Sequence, residues 1–221
     1  MNILALEFSS DQKSVAVLNP GIDRATALNV EVVETGGRAT RALGMTEEAL
    51  RQAGVEREAI ECLAIGLGPG SYNGIRVALA LAQGWQLARG VRLLGISSAE
   101  CIVAQAQAEG LRGRVGAVID AQRGEFYLAN FEIDSTGWRE LQPLRLASPP
   151  QVEAAQTAGD ILVGPEVTKW FPSGRIVLPR AATLARLAVG RTDFVPGEKL
   201  APIYLRETNF VKAPPSRPLP L

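Results

Sequence analysis

Near its start the chain sets short apolar blocks between turn residues. Ile3 to Phe8 is an apolar run ended by Ser9-Ser10-Asp11, a combination that favours a tight turn. Ser14 to Leu18 reads as a second strand closed by Asn19-Pro20-Gly21, and Ala27 to Val33 as a third. Three strands joined by hairpins are the simplest arrangement. The period then lengthens. Ala42, Met45, Ala49, Leu50 and Ala53 recur at helical spacing, with Thr46 as the expected N-cap, Glu47 and Glu48 near the start and Gly54 at the stop. Cys62 to Gly66 is a short buried strand. It runs into the glycine-rich turn Gly66-Leu67-Gly68-Pro69-Gly70-Ser71-Tyr72-Asn73-Gly74 and a helix reaching about Arg89. On that helix Arg76, Gln83, Gln86 and Arg89 fall within roughly 140° of arc, and the remainder is apolar or small. Such a helix needs cover on more than one side, some of it from another subunit.

Arg92 to Ile96 is a further strand, and Ser97-Ser98-Ala99-Glu100 opens a helix reaching about Ala108. The order β-β-β-α-β-α-β-α fits an RNase H-like lobe. From about residue 114 the pattern restarts. Strands are expected at Val115–Ile119, Glu125–Ile133, Trp138–Leu146 and Ile161–Val163, and helices at Gln151–Ala158 and Ala181–Val189. The fold class expected is therefore α/β: two RNase H-like lobes with mixed sheets flanked by helices, divided as residues 1–110 and 111–221. A proline-rich end from Ala213 reads as a loose tail.

Composition narrows the chemistry. The 221 residues contain no histidine, which excludes Ser-His-Asp and Cys-His nucleophile systems and histidine zinc sites. Cys62 and Cys101 stand far apart in apolar contexts and are expected as buried, reduced thiols. Basic and acidic side chains balance at 23 each, so no overall positive field draws nucleic acid. No run of eighteen apolar residues occurs and the start lacks a signal-peptide pattern, so the expected location is the cytoplasm.

Two features carry candidate chemistry, and each has a structural alternative. The glycine turn, with Gly68, Gly70 and Ser71, leads from a strand into a helix N-terminus, where free N–H groups can hold a phosphate. It matches neither a Walker nor a Rossmann pattern, and equally serves as a tight turn for close strand–helix packing. Glu7, beside Ser9 and Ser10, could hold Mg²⁺ through water with the hydroxyls near phosphate, or could be a strand-end charge. Asp120 occupies the corresponding place in the second half.

Taken in order, several blocks resemble the family of tRNA threonylcarbamoyladenosine biosynthesis proteins TsaB. They are Ile3 to Ser10 with Ser14 to Leu18, Gly68 to Arg76, Gly95 to Glu100, Ile119 to Tyr127, and Pro202 to Arg206. Departures are Glu7-Phe8-Ser9 where that family usually has Asp-Thr-Ser, Asn73 in place of Thr, and Gly37-Arg38-Ala39-Thr40 in place of a His-Ser pair.

The resemblance implies an actin-like ATPase (ASKHA) fold and a non-catalytic subunit paired with the transferase TsaD, joined by the ATPase TsaE, with tRNA reached only through the complex. It implies threonylcarbamoyl transfer to the adenosine just 3′ of the anticodon, with ATP or ADP and Mg²⁺ at the complex interface. It also places the partner surface, or a homodimer contact, on the two helices near residues 40–53 and 73–89. Ala42, Ala49, Gly74, Arg76, Ala78, Leu79, Ala82 and Gln83 are the residues it nominates. Ala82→Arg is then expected to abolish partner binding while leaving the monomer folded. The competing readings are an independent actin-like ATPase or small-molecule kinase, and a peptidase, for which no nucleophile or metal set is evident.

Overall fold

A computed structural model describes residues 1–19, 28–36 and 41–205. Five strands form the first sheet: β1 (Ile3–Glu7), β2 (Gln12–Leu18), β3 (Leu28–Thr35), β4 (Cys62–Gly66) and β5 (Arg92–Ile96), in the order β3-β2-β1-β4-β5. The hairpin strands are antiparallel, while β4 and β5 run parallel to β1. A parallel neighbour requires a crossover, and two helices supply it: α1 (Ala42–Ala53) before β4, and α2 (Tyr72–Arg89) before β5.

The second sheet repeats this plan with β6 (Gly113–Asp120), β7 (Phe126–Ile133), β8 (Trp138–Ala147), β9 (Ile161–Gly164) and β10 (Arg175–Ile176), ordered β8-β7-β6-β9-β10. The remaining helices of the chain are α3 (Ser98–Ala108), α4 (Pro149–Thr157) and α5 (Ala181–Ala188). The two sheets share one strand order and one set of directions, so both halves are RNase H-like lobes and the whole is the actin-like arrangement.

Alternation sorts the cores. Leu4, Leu6, Val15 and Val17 face α1 and α2, whereas Ile3, Ala5, Ala16 and Leu18 face α5. In the second lobe Val115, Ala117 and Ile119 face α3, and Val118 and Leu128 face α4. Thus α3 and α5 fill the space between the sheets, and α1, α2 and α4 cover the outer faces.

Three expectations are corrected. The lobe division at residue 110 does not hold for the helices. α3 buries Ala99, Ile102, Val103 and Ala106 against the second sheet, and α5 packs Leu184, Ala185 and Ala188 on the first. The reason lies at the start of α5, where Ser14 Oγ accepts from Ala181 N (2.8 Å) and Glu31 Oε1 accepts from Ala182 N (3.0 Å). Its N-terminal amides are thus capped by the first sheet.

Second, α1 starts at Ala42 with Arg41 at the N-cap, and Thr46 lies buried inside the helix. Burial of Ala42 and Met45 carries the helix across Gly44. Third, β10, a two-residue strand, had no pattern to announce it. Gly54 ends α1 with left-handed φ of 63°, as expected. The Ala27 end of the third strand, the Gly37–Thr40 segment and the proline-rich tail lie outside the described residues.

Candidate functional site

The corresponding turns of the two lobes, Ser9–Asp11 after β1 and Asp120–Gly124 after β6, face one another across a cleft of about 440 Å³. Ser9, Ser10, Gly70 and Ser71, four of the six residues nominated for phosphate, line it. Glu7 and Gly68 do not.

Glu7 is fully buried behind the cleft. Its Oε1 accepts from Ser9 N (2.8 Å), and its Oε2 accepts from Ser98 Oγ (3.0 Å), which in turn accepts from Gly68 N (3.2 Å). One carboxylate therefore ties together the end of β1, the glycine turn and the start of α3. Burial raises its pKa above the ordinary carboxylate value, against the lowering effect of the Ser9 and Ser98 hydrogen bonds.

The glycine turn is committed to packing in the same way. Ser71 N donates to Ser9 O (2.7 Å), and Gly74 N donates to Ser71 Oγ (3.3 Å). Gly70, at φ of 147°, and Gly74 carry no side chain because a Cβ would stand 2.1 Å from Ser9 O and 2.0 Å from Phe8 O respectively. Of the two readings of this turn, close strand–helix packing accounts for both glycines.

An actin-like fold implies a metal-bound nucleotide in this cleft, and the phosphate-holding side of such a site is a poor fit, since the Ser9 and Ser71 amides donate to Glu7 and to Ser9 O. The cleft's side chains include three carboxylates, Asp11, Asp120 and Glu166, and no Lys or Arg is among the described residues lining it. Asp120 is already engaged, accepting from Gln122 N (2.7 Å) and Gln122 Nε2 (2.8 Å). No group of three His, Cys, Asp or Glu side chains able to hold a metal ion occurs among the described residues.

What sequence reasoning missed is the aromatic rim. Tyr72, Trp170 and Tyr204 line the cleft and are 53%, 42% and 43% exposed. Tyr204 stacks on Tyr72 with ring centroids 5.9 Å apart, and the Arg76 guanidinium sits 3.9 Å from the Tyr72 centroid. Tyr204 belongs to the Pro202–Arg206 block already singled out, whereas nothing local marks Trp170.

The nominated partner surface is also corrected. Ala42, Ala49, Ala78, Leu79 and Ala82 are buried in the core beneath α1 and α2, and Gly74 presses on the Phe8 carbonyl. Gln83 donates to Gly197 O (2.8 Å), and only Arg76 of the eight stands exposed. The outward face of the same helices is apolar nonetheless. Leu43 is 65% and Leu87 89% exposed, and a groove of about 390 Å³ runs between α1 and α2, lined by Leu43, Ala80, Leu81, Gly84, Trp85 and Ala88. Charges on its rim pair with each other, Arg57 with Glu47 (2.6 Å) and Arg89 with Glu58 (3.5 Å).

The comparisons with known proteins now bear on these features. Residues 38–195 match the family TsaD, tRNA N6-adenosine threonylcarbamoyltransferase. The chain belongs to that family. Its curated relatives include TsaB of Escherichia coli, 29% identical over 98% of this chain and 100% of that protein. TsaB of Haemophilus influenzae is 28% identical over 97% of this chain and 98% of that protein. Among solved structures, the Pseudomonas aeruginosa protein YeaZ superposes with a TM-score of 0.77 at 29% identity, covering 92% of this chain and 99% of that one. A second P. aeruginosa structure, described by similarity to a peptidase YeaZ, gives 0.78 at 28% identity, covering 93% and 99%. The TsaB resemblance drawn from the ordered sequence blocks therefore holds along nearly the whole chain. No helix among the described residues is long and apolar enough to cross a membrane.

Proposed function

We propose that this chain is a cytoplasmic, non-catalytic subunit of the machinery that makes threonylcarbamoyladenosine in tRNA, and that it docks on a TsaD-type transferase through the outer face of α1 and α2. The observation that carries this reading is the apolar groove between those helices. Leu43 stands in water there beside Ala80, Gly84 and Ala88, and Leu87 is exposed elsewhere on α2. Small residues on one helix face let a partner backbone approach closely, and an apolar patch rimmed by charges is the usual mark of a protein–protein site. The internally paired rim charges leave little to attract a phosphate backbone, so tRNA meets the complex rather than this face.

The naming of the relatives as TsaB supports the same assignment. A TsaE-type ATPase completes the assembly, and in the absence of TsaD the groove serves a second copy of this chain. The chain holds no histidine, so the cleft's Ser9, Ser10 and Ser71 have no imidazole base to activate them.

The test uses Gly84, where a Cβ would meet nothing within 4 Å. Gly84→Arg fills the groove and replaces a helical glycine, which by itself stabilises the helix by about 1 kcal/mol. In a reconstituted tRNA-modification reaction with the TsaD- and TsaE-type proteins of the same source, the wild-type chain should be required and Gly84→Arg should fail to substitute for it. Modification at full rate without the chain would overturn the assignment.

A further inference from the structure

The interlobe cleft is lined by aromatic rings and carboxylates, with no Lys or Arg among its described lining residues to meet a phosphate. Three exposed aromatic residues, Tyr72, Trp170 and Tyr204, stand on its rim, and three carboxylates, Asp11, Asp120 and Glu166, stand on its walls. Electron-rich ring faces and carboxylates both attract positive charge and both repel phosphate. Ser9, Ser10 and Ser71 add only neutral hydroxyls.

We infer that the cleft is a binding site for a planar organic cation of the guanidinium class. The choice of guanidinium over a simple ammonium follows from shape: a flat, weakly hydrated cation stacks on an aromatic face while its fork of N–H groups reaches carboxylate oxygens. The rim already shows this chemistry within the chain, since Arg76 lies over Tyr72 at 3.9 Å. A second cation also answers the field of the walls. Lys169 pairs with Glu166, and its pKa is raised first by that partner and further by Asp11 and Asp120. Lys169 and the rim's Arg76 set two positive charges against three carboxylates, which leaves one negative charge for a ligand to neutralise. The cleft volume, about 440 Å³, lies within the usual range for small-molecule sites, roughly 300–1,000 Å³. This inference is independent of the α1–α2 groove and goes beyond the role proposed above. The cation has two sources, a free small molecule or an arginine side chain of a partner protein.

The experiment titrates the full chain with agmatine, following heat and the NMR signal of the Trp170 indole, with butylamine and Mg²⁺-ADP in parallel. Agmatine should saturate and shift that signal, butylamine should bind about tenfold more weakly or worse, and ADP should not compete. Asp11→Asn and Tyr204→Ala change exposed side chains, so melting temperatures should hold while each weakens agmatine about tenfold. A Gly-Arg-Gly peptide that binds more tightly than agmatine assigns the site to a partner's arginine, and weaker binding assigns it to a small molecule. Absence of saturation by both guanidinium probes, displacement of agmatine by ADP, or equal affinity in both variants would each overturn the inference.

Discussion

Glu7 is the residue on which the candidate site turns. Its carboxylate is enclosed, holds Ser9 N and Ser98 Oγ, and is raised above the ordinary carboxylate pKa by burial. A raised carboxyl means that the folded state takes up a proton more readily than the unfolded one. Its contribution to stability is fully present below the unfolded pKa and is lost as pH rises through the folded value. Melting temperature should accordingly fall over that window in the wild type. Glu7→Gln, which keeps an acceptor for Ser9 N but cannot ionise, should show a flatter profile when both are melted across the mildly acidic range. The thiols make a second residue-scale case. Burial pushes Cys62 up to about 11 and holds Cys101 well above the usual thiol value, where its Sγ also donates to Arg180 O (3.4 Å). Neither should react with Ellman's reagent in the native chain at neutral pH, and both should react fully in denaturant.

At the scale of elements, α5 shows how a helix can be assigned correctly and still be placed in the wrong lobe. Its apolar spacing marks Ala181 to Ala188 plainly, but Arg180 at its N-cap supplies no side-chain cap. The caps come from Ser14 and Glu31, with Glu31 also paired to Arg180, about one hundred and fifty residues earlier in the chain. No local pattern can carry that information. Glu31→Ala removes an acceptor that is itself nearly buried, and should cost about 2 kcal/mol in denaturant unfolding. Ser14→Ala should cost about 1 kcal/mol.

Helix α2 fails in the opposite way. Small and apolar residues surround it, so the sequence distinguished a polar arc but not which apolar side faces inward. Ala82 is in fact wholly buried. Ala82→Arg should therefore lower stability by several kcal/mol rather than act cleanly on the surface, whereas Gly84→Arg should leave the melting temperature unchanged or higher.

At the scale of the whole molecule, the duplicated lobe was legible because strand and helix periods repeat in the same order from about residue 114, even though the residues do not. The second sheet carries the four strands expected there in that order, and the unannounced β10 completes its match to the first. The cleft was legible only in part. Ser9, Ser10, Gly70 and Ser71 sit in recognisable turns, so their place on the cleft followed from the motifs. The aromatic rim did not, because Tyr72, Trp170 and Tyr204 come from three distant segments and meet only after folding. The segment from Val195 to Tyr204 helps to close that geometry. Val195 N donates to Leu93 O (3.0 Å), Gly197 N to Gln86 Oε1 (2.7 Å) and Ile203 N to Leu67 O (2.9 Å), which carries Tyr204 onto Tyr72. The chain thus links the groove helix to the mouth of the cleft.

The central claim is that this molecule works by docking rather than by chemistry of its own. The most direct test is size-exclusion chromatography with light scattering on this chain mixed with the TsaD-type protein of its own source. The account predicts a stable one-to-one complex that Gly84→Arg prevents, with neither protein modifying tRNA alone. Two separate peaks for the wild-type pair, with and without nucleotide and the TsaE-type protein, would contradict it.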